Sequence, residues 1–281
     1  MNASFERFGD GDAPASPVVL SAPHAGREYP SHMTPLIRTT PLALRALEDR
    51  YVDLIALAAR GERTAIVQRT PRAWIDLNRG EQERDPLVDE GADPARQPVR
   101  SAKLRSGLGL VPRRVPGAGE IWRRRLSDAE VIARIETAHR PYHAALTQAL
   151  MAARRRFGVA VLLDIHSMPP LGAGAARVVL GDRFGRSAAA RFVARAEAAA
   201  LATGLRVALN SPYAGGHILD RHGAPGRDVH AIQIELDRGL YLDARLDGPG
   251  EGMPHAVRLL GDVVVGLEDE ALSGALPLAA E

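Results

Sequence analysis

Apolar residues fall into short continuous runs separated by longer amphipathic stretches. Pro17-Val18-Val19-Leu20 runs into Ser21-Ala22-Pro23-His24-Ala25-Gly26, the pattern of a buried strand that ends in a tight loop. Residues 41–60 read as a helix, 64–67 as a short strand and 73–77 as another. The run from Val159 to Ile165 has the unbroken apolar character of a strand covered on both faces, and it ends on His166. Strands near 177–180, 205–209 and 230–236, with helices near 187–203 and 253–269, continue the alternation. Strand and helix in turn predict an α/β fold, three layers deep, with a mainly parallel central sheet.

Two stretches depart from this rhythm. Ser127-Asp128-Ala129-Glu130 is a helix start, because the serine and the glutamate three residues on satisfy each other's backbone amides; the helix is expected to reach about Arg156 and to bend near Pro141. Residues 80–119 are rich in Pro, Gly, Arg and acids without a period, which predicts a long loop over an active site or a mobile excursion. With no internal repeat and no break in composition, the expected organisation is a flexible lead-in (1–16), a single catalytic domain (17–275) and a short tail (276–281).

Composition narrows the chemistry. The 281 residues contain no cysteine, which excludes a disulfide scaffold, a thiolate nucleophile and a cysteine-ligated metal. Any metal must sit on His, Asp or Glu. Lys103 is the only lysine, and 36 basic against 34 acidic residues leave a net charge of +2, too weak a field to grip nucleic acid. The arginine clusters at 123–125 and 154–156 have acids nearby and few aromatics, so they read as solvated helix faces. No apolar run approaches the ~20 residues of a membrane span, and Glu6, Asp10 and Asp12 argue against a secretory leader. The cytoplasm is the expected compartment, without membrane or nucleic-acid partners. Phosphate-loop, nucleophile-elbow and H-E-x-x-H patterns are absent, and Gly107-Leu108-Gly109 opens no dinucleotide turn.

What remains is a set of polar residues at the ends of strands, where open α/β sheets place their ligands. His24 follows one strand, Asp76-Leu77-Asn78-Arg79 another, Asp164-Ile165-His166 ends the central run, and Glu235 lies in the last. Either histidine alone reads equally as a loop cap or a buried structural residue. Glu235 is harder to dismiss, since a carboxylate between Ile234 and Leu236 is costly to bury unless a metal or cation compensates it.

Pro23-His24-Ala25-Gly26, Asp76-Leu77-Asn78-Arg79, Pro141-Tyr142-His143, Asp164-Ile165-His166-Ser167, residues 210–216 (NSPYAGG) and Gln233-Ile234-Glu235-Leu236 occur in an order that resembles the N-formylglutamate amidohydrolase family, over about residues 17–243. That family is similar to the zinc carboxypeptidases and aspartoacylases. The resemblance implies a zinc-carboxypeptidase-like fold and one zinc ion held by His24, His166 and an acid. The acid expected three residues after the first histidine is Arg27 here. The family pattern instead points to Asp49, on a helix, with Glu48 and Glu28 as competitors.

The resemblance further implies Asn78 and Arg79 as a clamp for the substrate carboxylate, Arg72 as the cation at the scissile carbonyl and Glu235 as the catalytic carboxylate. His230 is a substrate contact or a support for the site, with a purely structural role as the alternative. His217 closes a glycine-flexible loop over the site, and His143 packs beside Tyr142. His32, His139, His222 and His255 receive no role. The implied reaction is hydrolysis of N-formyl-L-glutamate to formate and glutamate, the last step of one histidine-degradation route. The alternatives are another N-acyl amino acid or short peptide as substrate, and a metal-free protein that binds amino acids or anions. Oligomeric state is not legible.

Overall fold

The computed structural model of the protein describes residues 4–10, 12–93, 95 and 102–273; the tail expected at 276–281 lies outside them. The strands are β1 (Phe5–Phe8), β2 (Val18–Ala22), β3 (Thr64–Gln68), β4 (Arg114–Val115), β5 (Gly119–Glu120), β6 (Ala160–Met168), β7 (Val178–Gly181), β8 (Val207–Leu209) and β9 (Val229–Asp237). The α-helices are α1 (Pro41–Leu44), α2 (Val52–Ala59), α3 (Ala102–Arg105), α4 (Asp128–Arg134), α5 (Arg140–Phe157), α6 (Ala190–Leu201), α7 (His217–His222) and α8 (Met253–Ser273). No described helix is long and apolar enough to cross a membrane.

Seven strands form one mixed, mostly parallel sheet in the order β1-β3-β2-β6-β9-β7-β8. β2, β6 and β9 run parallel side by side at its centre, whereas β7 is antiparallel to β9. The central strands lack solvent on either face: every residue of β6 is buried, which explains the unbroken apolar run that marked it in the sequence. β1 arises inside the lead-in expected to be flexible, where Phe5 meets the edge of the Tyr142 ring.

By its internal contacts the chain divides into two compact units. One takes Met1–Glu6, Pro23–Arg50 and Val67–Ala144. It includes the stretch expected as an uninterrupted loop, in which α3 and the β4–β5 ribbon form and arginines tie acids together: Arg113 pairs with Asp85 and Glu120, and Arg84 with Asp89 and Asp128. The other takes Arg7–Ala22, Tyr51–Ile66 and Ala145–Glu281. There α2 and α8 pack on β2 and β6, α6 on β7, and α7 on β9.

Three expected elements are corrected. Residues 41–60 are not one helix: after α1 and a 3-10 turn, Glu48 is extended and Tyr51 takes φ of 60°, and only then does α2 begin. Residues 73–77 form turns instead of a strand, because the Asp76 side chain accepts from the Asn78 amide and so competes with a ladder. The helix from Ser127, with its capping box in place, is interrupted before Pro141 by a π-turn over Ile135–His139.

Helix α7 starts at His217 and places His222 in the interior, where burial first, with help from Arg221, pushes its imidazole pKa down from 6.5 to about 4. The unfolded chain therefore binds the proton more readily than the fold between those values. Stability is expected to fall as pH drops from 6.5 through 4, by on the order of 3 kcal/mol at full protonation. Chemical denaturation at stepped pH checks this: His222→Phe should flatten that window, and an unchanged slope would assign the acid sensitivity elsewhere.

Candidate active site

The first half of the site is built around His24. Strand β2 ends at Ala22, and the chain turns through Pro23 to Gly26 against residues 69 and 70. A Cβ at Gly26 would lie 2.1 Å from the Thr70 carbonyl oxygen, so only glycine permits this approach. The turn fixes His24 O, which accepts from the Asp49 amide at 2.9 Å. Asp49 thus sits in the non-helical break at 48–51 and not on a helix, and its Oδ2 lies 3.5 Å from His24 Nδ1.

On its other side, His24 Nε2 donates to Asp76 Oδ1 at 2.8 Å. Arg72 Nε and Nη2 donate to Asp76 Oδ2 at 2.9 and 2.8 Å. Complete burial pushes the Asp76 carboxyl upward, but Arg72, Arg79 and His24 together outweigh it and hold the group well below the usual carboxylate range. Asp76 is therefore an anion that orients an imidazole and a guanidinium at once.

The second half lies on the sheet. In register, Ser21, Asp164 and Gln233 stand side by side on β2, β6 and β9, and two residues on, His166 stands beside Glu235. Residues two apart on a strand share a face, so Asp164 and His166 point together, as do Gln233 and Glu235. His166 Nε2 donates to Asp164 Oδ2 at 2.9 Å, and Ser21 Oγ donates to Asp164 Oδ1 at 2.7 Å. Gln233 Nε2 donates to Glu235 Oε1 at 2.9 Å, so the buried Glu235 is held by a neutral amide.

One ligand atom each from His24, Asp49 and His166 lies within 4.8 Å of the others, and all three residues are buried. Both imidazoles spend Nε2–H on a buried carboxylate, so in the neutral ring the lone pair is on Nδ1. That is the arrangement in which metal-bound histidines are held, oriented and made more basic by a carboxylate behind them. Two imidazoles and one carboxylate suit zinc and leave a coordination position for substrate or water. The competitors for the third ligand are otherwise engaged: Glu48 accepts from Tyr29 Oη and from Arg50 Nη1, and Glu28 is exposed.

Asn78 and Arg79 are both buried and adjacent to Asp76. Arg79 Nε donates to Leu108 O and its Nη1 to Asn78 O. Its Nη2 has no partner among the described residues, which leaves one edge of the guanidinium for an anion. His230 is not brought to this group. It stands five residues before Glu235 at the start of β9, on the opposite face, with its ring 4.4 Å from Phe192 and Nδ1 accepting from Ala189 N.

Asp76 and Asp164 carry roles that sequence reasoning missed. An acid two residues before a strand histidine, and one four residues after Arg72, were visible but had no partner assigned. Asp76→Asn should fold and lose about 10- to 100-fold in metal affinity, because the amide cannot match the carboxylate between Arg72 and His24. Competition with a chromophoric chelator checks it; wild-type affinity would remove Asp76 from the site.

A mixed, mostly parallel α/β sheet with a buried His-Asp-His group able to hold a metal is the class that the fold and the site define. The chain belongs to the N-formylglutamate amidohydrolase family, whose model matches residues 16–242, and it is accordingly an amidohydrolase acting on linear amide bonds. It is 30% identical over 233 residues to the N-formylglutamate deformylase of Pseudomonas putida, covering 81% of this chain and 82% of that protein. The crystal structure of N-formylglutamate amidohydrolase from Ralstonia eutropha JMP134 is 33% identical with a TM-score of 0.87, over 97% of this chain and 99% of that one. A gene product of Agrobacterium tumefaciens, 20% identical with a TM-score of 0.69 over 97% and 95% of the two chains, shares the fold.

Proposed function

We propose that the protein hydrolyses N-formyl-L-glutamate to formate and L-glutamate, with zinc held by His24, Asp49 and His166. The observation that carries this reading is the buried His-Asp-His group with a carboxylate behind each imidazole. The family and the deformylase relative support the substrate. Zinc, when bound, supplies a Lewis acid and lowers the pKa of water toward ~7.

The chain's own groups do the rest. Glu235 takes a proton from the attacking water and returns it to the departing nitrogen, so that hydroxyl goes to the formyl carbon and hydrogen to the amine. Its place beside His166 on the sheet puts the base next to one proposed ligand. Arg72, held on Asp76, presents positive charge toward the carbonyl oxygen as that oxygen becomes anionic. Arg79 Nη2 and the Asn78 amide receive the carboxylate, where a planar guanidinium matches two oxygens.

Formate release from a panel of N-formyl, N-acetyl and N-succinyl amino acids tests the substrate. N-formyl-L-glutamate should give the highest kcat/KM. Preference for another acyl group would move the same machinery to a different substrate, and no turnover with or without zinc would leave a binding protein.

A further inference from the structure

We infer that His139 and His143, together with Arg134, are positioning residues that set the direction of the Asn78–Arg79 pair. The inference rests on the proposed reading of that pair as the carboxylate clamp.

Three side chains of the helical stretch running from α4 into α5 each donate to one backbone carbonyl of residues 74–79. Arg134 Nη1 donates to Trp74 O at 3.0 Å, His143 Nε2 to Leu77 O at 3.0 Å and His139 Nε2 to Arg79 O at 2.8 Å. All three donors are within 1% of complete burial. The Arg134 guanidinium lies 3.6 Å from the Trp74 ring centre and 4.8 Å from that of Trp122, a cation–π contact with both rings.

The π-turn explains the spacing. In a regular α-helix, residues five apart point about 140° away from each other, so Arg134 and His139 would diverge. The π-turn over Ile135–His139 takes up roughly one extra residue and turns His139 back toward the face of Arg134. His143, four residues further along α5, then lies on the same face as His139, with the two ring centres 4.4 Å apart.

The consequence falls on two peptide planes. The unit between Leu77 and Asn78 is pinned at its oxygen by His143 and at its nitrogen by Asp76 Oδ1. The unit between Arg79 and Gly80 is pinned at its oxygen by His139 and at its nitrogen by Glu83 Oε2. These two planes bracket the Asn78–Arg79 pair. The unit between Asn78 and Arg79 is held from within the turn, Arg79 N donating to Asp76 O and Arg79 Nη1 to Asn78 O, so the two outer planes are the ones that a side chain of the helical stretch sets.

The test uses the full-length zinc-loaded enzyme. His139→Leu and His143→Leu should raise KM for N-formyl-L-glutamate about tenfold or more while kcat and zinc content stay within about twofold. His139→Gln and His143→Gln, which keep an N–H near the Nε2 position, should restore most of the KM. An N-formyl alkylamine without a carboxylate should be hydrolysed equally by all variants. Should the leucine variants fail to fold, His139→Asn and His143→Asn replace them with the same expectation, since the shorter amide does not reach the carbonyl.

Unchanged KM in a folded variant, or kcat falling in step with KM without rescue by glutamine, would overturn the inference. So would loss of one zinc per chain, which would make these imidazoles metal ligands. Arg79→Ala separates the two levels: if it leaves KM unchanged, the clamp reading fails and this inference falls with it. If only the histidine variants leave KM unchanged, the clamp stands and the inference alone is wrong.

Discussion

Glu235→Gln is expected to lower kcat by about 10²- to 10⁴-fold and to leave zinc in place. The amide keeps the size of the side chain and an oxygen that can still accept from Gln233, so packing around β9 is preserved. What it removes is the ability to hold a proton between water and the departing nitrogen. Because His166 stands beside Glu235 in register, a general disturbance of β9 would also disturb the proposed ligand. Zinc content is thus an internal control: retained zinc with lost turnover assigns the base, and a native rate would withdraw that assignment.

The second large effect concerns the proposed ligands. His24→Ala and His166→Ala should each lower zinc affinity by more than about 100-fold, beyond what the carboxylates behind them contribute, and should abolish turnover at stoichiometric metal. Neither change should unfold the chain, since each carboxylate keeps another donor. Asp76 retains both nitrogens of Arg72, and Asp164 retains Ser21 Oγ. Isothermal titration with zinc beside circular dichroism reads both quantities. Native affinity in either variant would remove that histidine from the metal group.

How much of this was legible in the sequence depended on whether a residue's role followed from its own element. β2 and β6 stand out as continuous apolar runs because both faces are buried, β9 follows from the alternation of strand and helix, and His24, His166 and Glu235 fall at or near the ends of these strands without coordinates. The capping box at Ser127 was equally local. The segment 73–77 misled because its apolar residues are buried in turns, where the Asp76 side chain and neighbouring helix donors satisfy the backbone in place of a ladder. A period of hydrophobicity cannot tell those two solutions apart.

The helix expected over 41–60 failed for a related reason. Its apolar pattern is compatible with one helix, but the break at 48–51 comes from the His24 carbonyl capturing the Asp49 amide, a contact across 25 residues of sequence. Nothing in the local sequence shows that the carbonyls of Arg79 and Leu77 lie opposite His139, which reads without a role, and His143, which reads as packing beside Tyr142. The π-turn that aims them leaves no mark in composition. His230, read as a substrate contact, a support for the site or a structural residue, is offset by five from Glu235, which places it on the other face of β9.

On the proposed function, a zinc ion on His24, Asp49 and His166 drives hydrolysis of the formyl amide. Formate release from N-formyl-L-glutamate, measured on the purified chain as isolated, after chelation and after return of one equivalent of zinc, tests it most directly. One formate per glutamate formed is expected, with loss of release on chelation and recovery with zinc. Release that continues at the same rate in metal-free protein would contradict it.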